Sequence, residues 1–356
     1  MTIRTLFVDD CFGRPETDPR RQKVDLLKAI EGVSVEELDA TRLFEFKQAR
    51  KSRTDIFDLI FVDYKLSTDA SDVEGFSTGD QCESLVRAMC SDTPVYLLSV
   101  EVAAEREFER PEGFERQVGE NFLSNPQNVY KEISNHKELR LALESGDCKQ
   151  LFSAMGCSDD LVKSDITEAL PARVRRCFNT ASVSRQSGPP IVHGTKGARV
   201  EFCRWFIDLF YKHPGFLLDD RATANLLGMS LEYFTKNIVN QFEAARYKGV
   251  FSHTLCPRWW TDQIKECVLD LDDNGILLSK SLAEGAAIIL GVPEGEKARC
   301  VRCEKLWPDA LGFVQDDAHR NLHPVHIRCS IPDPEADLGA YFTSPRLIID
   351  DESASH

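Results

Sequence analysis

Acidic and hydroxyl side chains stand where apolar runs stop. Asp9 and Asp10 close "TIRTLFVDD", Asp63 closes "FDLIFVD", and Ser99 closes "TPVYLLS". Carboxylates gathered from separate runs repel one another, and the usual remedy is a hard divalent cation with oxygen ligands, with Mg²⁺ the natural choice. Such an ion also orients a phosphoryl group, so that a carboxylate oxygen can attack it in line. A second constellation has softer ligands. Cys300 and Cys303 form a CxxC pair, and His326 with Cys329 forms an HxxC pair further on. Two-residue gaps let both members of a pair reach one ion, and four such ligands make a closed, structural Zn²⁺ site. His323 can replace His326, and His319 is a more distant third choice. The other cysteines, among them Cys82, Cys90, Cys203 and Cys267, are scattered singly, as reduced core thiols are.

The acids need elements to bring them together. "TIRTLFVDD" reads as a strand, and "RRQKVDLLKAIEG" follows with apolar residues at helical spacing. "GVSVEEL" is a second strand and "TRLFEFKQARKS" a second helix. "DLIFVD" is a continuous apolar run of the kind buried on both faces of a parallel sheet. The alternation repeats through the helix "GDQCESLVRAMC", the strand "TPVYLLS" and a closing helix "KELRLALESG". The pattern predicts an α/β domain with a doubly wound, five-stranded parallel sheet of flavodoxin-like type. In that architecture ligands sit at the carboxyl ends of the strands, where Asp9, Asp10, Asp63 and Ser99 all fall.

The acid pair in "LFVDD", the turn in "FVDYKLS" and the strand "TPVYLLS" together resemble the receiver domain of two-component response regulators, over roughly residues 1–145. The resemblance implies that Asp9, Asp10 and Asp63 hold Mg²⁺, with the backbone carbonyl of Lys65 completing the metal site. It implies that Asp63 accepts phosphate from a histidine kinase and that Ser99 bonds a phosphoryl oxygen. The family's phosphate-binding lysine has two candidate positions. One is Lys131 in "NVYKEISNHKELRLAL", favoured by its distance from the closing helix; it requires "AEREFERPEGFERQVGE" to be an insertion before the last strand. The other is Asn125 in "NFLSNPQ", where the basic residue is missing.

Beyond the receiver-like segment the chain turns helical. "DCKQLFSAMG" and "SDITEALPARVRRCF" read as short helices, and residues 179–197 as a Ser/Gly/Pro-rich linker. "ARVEFCRWFIDLFYKHPG" is an apolar core helix stopped by Pro214-Gly215. In "FLLDDRATANLLGMSLEYFTKNIVNQF", a first helix, a Gly228-Met229-Ser230 turn and a second helix with Tyr233, Phe234, Ile238 and Val239 inward resemble a helix-turn-helix module. As a DNA reader it would present Thr235, Lys236, Asn237 and Gln241 to the major groove and Arg246, Lys248 and Arg258 to phosphates. Ten Lys/Arg against nine Asp/Glu between residues 195 and 270 favour protein interaction instead, since DNA readers are normally basic.

Over the whole chain, 43 Lys+Arg against 58 Asp+Glu give a formal charge of −15, which argues against coating nucleic acid or anionic membrane through bulk charge. No signal-like or membrane-spanning run occurs, so a cytoplasmic protein is expected. The expected organisation is a receiver-like domain over 1–145, a helical connector and linker over 146–197, and a helix-turn-helix-like module over 198–295. A zinc-knuckle-like element over 296–345 and a disordered acidic tail over 346–356 follow. The expected role is a phosphorelay switch, hardly an enzyme, with a histidine kinase, DNA or an effector protein, and a second copy of itself as partners. The alternatives are a non-DNA-binding adaptor, a phosphate-absorbing decoy of a kinase, or a pseudo-receiver that never carries phosphate.

Overall fold

A computed structural model describes residues 2–13, 18–49, 57–64, 79–99, 113–179, 197–211, 215–253 and 256–300, with 304, 306, 312–315 and 322–325 beyond them. The chain divides into two compact units, the first formed by Met1–Ile207 and Lys248–Leu255, the second by Asp208–Tyr247 and Cys256–His356.

The first unit begins with β1 (Ile3–Val8), α1 (Pro19–Lys28), β2 (Val33–Leu38), α2 (Leu43–Ala49) and β3 (Leu59–Asp63). It continues with α3 (Gly79–Met89), β4 (Val95–Ser99), β5 (Arg116–Gly119), α4 (Glu120–Leu123) and α5 (Pro126–Ser145). The five strands are parallel in the order β2-β1-β3-β4-β5. That is the doubly wound order whose switch point lies between β1 and β3. β3 and β4 are buried along their whole length, as their unbroken apolar runs require. One face of the sheet packs Leu6, Val8, Ile60, Val62, Val95 and Leu97 against α2 and α3, while the other packs Phe7, Phe61, Tyr96 and Leu98 against Val24 and Leu27 of α1 and Val129 and Ile133 of α5.

Two expectations in this region need correction. The fifth strand lies at the end of the charged stretch expected to be an insertion, and it is hidden because its charges are paired inside the fold. Arg116 is 2 % exposed and donates to the fully buried Glu132 of α5 at 3.1 Å. The preceding Glu115, also fully buried, accepts from Arg87 and bonds Val95 N. The closing helix also starts earlier than "KELRLAL". Asn125 caps it by accepting from Asn128 N at 3.2 Å, Pro126 fills its first turn, and Gly146 ends it in the left-handed conformation (φ 65°).

Four more helices belong to the same unit: α6 (Cys148–Ala154), α7 (Asp160–Ala169), α8 (Ala172–Asn179) and α9 (Ala198–Trp205). Residues 198–207 were expected to open the next module, but α9 is fastened to the sheet. Arg199, 2 % exposed, donates to the carbonyls of Asp92 (2.9 Å) and Phe57 (3.1 Å) and to Thr93 Oγ1 (3.0 Å). Arg204 reaches Glu115 at 3.1 Å. A buried polar chain adds to this attachment. Tyr96 donates its hydroxyl proton to Glu132 (2.6 Å), so its oxygen accepts from His136 Nε2 (2.8 Å), which leaves Nδ1 to accept from the Cys203 thiol (3.7 Å). Burial first, then the charges of Arg199 and Arg116, push the His136 imidazole well below its ordinary pKa, so it is neutral.

Among its described residues the second unit holds a two-stranded antiparallel pair, β6 (Leu217–Leu218) with β7 (Trp259–Trp260), and four α-helices. These are α10 (Asp220–Leu226), α11 (Leu231–Tyr233, continued by wider and tighter turns to Ala245), α12 (Thr261–Asp270) and α13 (Leu282–Ile289). Ala224, Leu227, Phe234, Ile238, Phe242, Trp259, Ile264 and Val268 form its core. Asp219 caps α10 through Ala222 N, and Ser230 caps α11 through Tyr233 N. Between them Gly228 takes φ +71°, and a Cβ there would overlap the Ala283 carbonyl of α13. A further hairpin pairs β8 (Gly312–Gln315) with β9 (Leu322–Val325). Among the described residues no helix is long and apolar enough to cross a membrane. The acidic tail over 346–356 lies outside the described residues.

Candidate functional site

The site lies at the carboxyl ends of β1 and β3, the neighbouring strands that flank the switch point. Val8 pairs with Val62, so Asp9 comes one residue beyond the register and meets Asp63, the last residue of β3. Ligand atoms of Asp9, Asp10 and Asp63 all lie within 4.8 Å of one another. Asp9 and Asp63 are 4 % and 2 % exposed. Asp10 opens a tight helical turn over Asp10–Gly13, and Asp9 Oδ1 accepts from Cys11 N at 2.8 Å across the start of that turn. Burial, and then the charge of Asp63, raise the Asp9 carboxyl to about 7, against the lowering effects of the Cys11 amide and Arg20. The donor set of buried carboxylate oxygens, crowded enough to hold a proton near neutral pH, fits a hard divalent cation.

Arg20 also reaches the acid cluster, although it does not stand at a strand end. Asp18 caps α1 by accepting from Arg20 N at 2.9 Å, and Pro19 opens the helix. From that second position the guanidinium enters the acid cluster, where Nη1 lies 2.8 Å from Asp63 Oδ2 and 3.4 Å from Asp9 Oδ2. Burial opposes the Arg20 charge, but Asp9 and Asp63 outweigh it and raise its pKa further. A sequence signal existed. Arg20, Val24 and Leu27 follow helical spacing, and the latter two are buried, so the arginine stands on the inward face of α1.

The remaining predicted residues are placed unevenly. Ser99 ends β4, 7 % exposed, on the strand next to β3 and opposite Gly119 of β5. Lys65 lies outside the described residues. Lys131 is on the exposed side of α5 and Asn125 is that helix's cap, whereas β5 ends at Gly119 and Glu120 follows. Neither candidate therefore stands at the end of the fifth strand.

In the second unit Phe234 and Ile238 are buried, Tyr233 and Val239 partly so, and Thr235, Lys236, Asn237 and Gln241 are exposed. These exposed side chains largely serve their own helix. Thr235 donates to the Leu231 carbonyl at 3.0 Å, Asn237 to that of Tyr233 at 3.2 Å, and Lys236 is paired with Glu232. Arg246 pairs with Glu243 at 3.4 Å, and Arg258 lies 4.0 Å over the Tyr211 ring and donates to the Tyr211 carbonyl. Lys248 belongs to the first unit. Of the zinc candidates, Cys300 is 1 % exposed. Its carbonyl accepts from Glu304 N at 2.9 Å, Glu304 has φ 55°, and Arg299 bridges Leu306. His323 is in β9, and Cys303, His319, His326 and Cys329 lie outside the described residues.

Comparison with known proteins gives no match, neither to a protein-family model nor to a curated protein. The five-stranded parallel sheet with its acid cluster is compatible with a receiver-like fold.

Proposed function

We propose that the protein is a receiver-type signalling switch that takes a phosphoryl group on Asp63 from a phosphohistidine donor. The observation that carries this reading is the meeting of Asp9, Asp10 and Asp63 within 4.8 Å at the switch point of the sheet. A carboxylate oxygen of Asp63 forms a bond to phosphorus while the donor's P–N bond breaks and its electron pair returns to the imidazole. The product is an aspartyl phosphate, which water later hydrolyses. Asp9 and Asp10, with Asp63, would hold Mg²⁺, which supplies charge neutralisation for the phosphoryl oxygens. Ser99, at the end of the adjacent strand, would donate a hydroxyl hydrogen bond to the modified Asp63. The protein then acts as a switch on its own side chain and turns over no external metabolite.

Acetyl phosphate with Mg²⁺ should add one phosphate's mass to the wild type and none to Asp63→Ala. A wild type that stays unmodified sinks the reading.

For the output we favour a protein partner over DNA. On the exposed side of α11, Thr235 and Asn237 donate to carbonyls of their own helix and Lys236 is paired with Glu232, while Arg246, just past the helix, is paired with Glu243. The full chain should leave DNA fragments unshifted in a gel even at low salt; a shift that weakens steeply with added salt would restore the DNA reading. The CxxC and HxxC spacing, with Cys300 buried, supports a structural Zn²⁺ held by Cys300, Cys303, His326 and Cys329. One equivalent of zinc in the purified protein, lost in Cys300→Ser, is the expected result.

A further inference from the structure

We propose that Arg20 is a resident counter-cation of the acid cluster: its guanidinium occupies Asp63 and Asp9 in the metal-free protein and must withdraw before a divalent cation or a phosphoryl group can reach Asp63. The inference rests on the acid cluster being the cation site of the proposed switch. A single nitrogen, Nη1, contacts oxygens from two strands, at 2.8 Å on Asp63 and 3.4 Å on Asp9. It therefore bridges the two carboxylates that a divalent cation would share. Both ligand atoms it contacts belong to the three-acid cluster that a hard divalent ion would use.

The anchoring of Arg20 suits a part that moves. Its backbone is held at the start of α1 by the Asp18 cap, while the guanidinium hangs on a long arm that is 20 % exposed, against 3 % for Asp63. Rotation about side-chain bonds can take it to water without disturbing the helix, because Val24 and Leu27 keep α1 on the sheet. Linkage makes the exchange reciprocal: whatever factor Arg20 costs the metal, the metal costs the Arg20 contact.

The test is Mn²⁺ binding to the full chain, followed by the electron paramagnetic resonance of the free ion, in wild type, Arg20→Gln and Arg21→Gln. Arg21→Gln removes the same charge from the same helical turn. We expect Arg20→Gln to tighten Mn²⁺ roughly tenfold or more and Arg21→Gln to change it less than about threefold, within the usual range of coupling between two ligands. Equal tightening by both variants would reduce the effect to ordinary charge and overturn the proposal. Unchanged or weaker binding in Arg20→Gln alone would also overturn it, leaving the cation site intact. Absence of Mn²⁺ binding in all three would overturn both the proposal and the cation site. A second measurement needs no variant. In nitrogen-15 spectra of the wild-type guanidinium groups, the slowed Nη exchange of Arg20 should disappear on saturation with Mg²⁺, and its persistence would overturn the proposal.

Discussion

Asp9 carries the clearest pH signature among the site's side chains. Its folded-state pKa of about 7 lies above the ordinary carboxylate value, so the fold binds this proton more tightly than the unfolded chain does. The contribution is therefore fully present below about pH 4 and is lost as pH rises towards 7, with a slope of at most about 1.4 kcal/mol per pH unit. Asp9→Asn removes that dependence. In chelator-treated protein, urea denaturation should show the variant gaining on the wild type as pH is raised from about 4 to 7, and Mg²⁺ should cancel the gain by stabilising only the wild type. The site acids were legible because each ends an apolar run. For Arg20 the spacing with Val24 and Leu27 showed only that it shares their face of α1; that its guanidinium meets Asp63, 43 residues away, was decided by the packing of α1 on the sheet.

Among the elements, the turn between α10 and α11 is held by sterics. Gly228 combines φ +71° with the Ala283 carbonyl of α13 at its α-carbon, so Gly228→Ala should destabilise the second unit by roughly 2–4 kcal/mol, measured by urea denaturation. If it costs less than about 0.5 kcal/mol, α13 does not pack on the turn. The same turn was readable in the sequence as Gly228-Met229-Ser230, with the serine as cap. β5 was unreadable for the opposite reason: Glu115 and Arg116 look like loop residues until Arg87, Arg204 and Glu132 are brought to them from three other elements. Asn125-Pro126 is a recognisable helix start, which places the beginning of α5 ahead of "KELRLAL" from local signals alone.

At the scale of the molecule, the unit built on the five-stranded sheet does not end at residue 145. Arg199 of α9 satisfies the carbonyls of Phe57 and Asp92 and the Thr93 hydroxyl, all from the sheet's own loops. Arg199→Met keeps the bulk and removes every donor, leaving buried acceptors unpaired. It should lower the stability of the first unit by about 3 kcal/mol, a loss readable as earlier amide exchange in β3 and β4. Exchange unchanged from wild type would mean that α9 is only loosely attached.

The order of residues alone carries the alternation of strands and helices, the acids at strand ends and the helix caps, because these depend on neighbours within a few positions. The packed chain decides the rest. Which acids share one space, which arginine enters it, and which charged segment is a buried strand all depend on partners far apart in sequence: Asp9 and Arg20 with Asp63, Arg116 with Glu132, and Arg199 with Phe57. A buried charge is tolerable only beside its partner, and no local pattern announces where that partner will be.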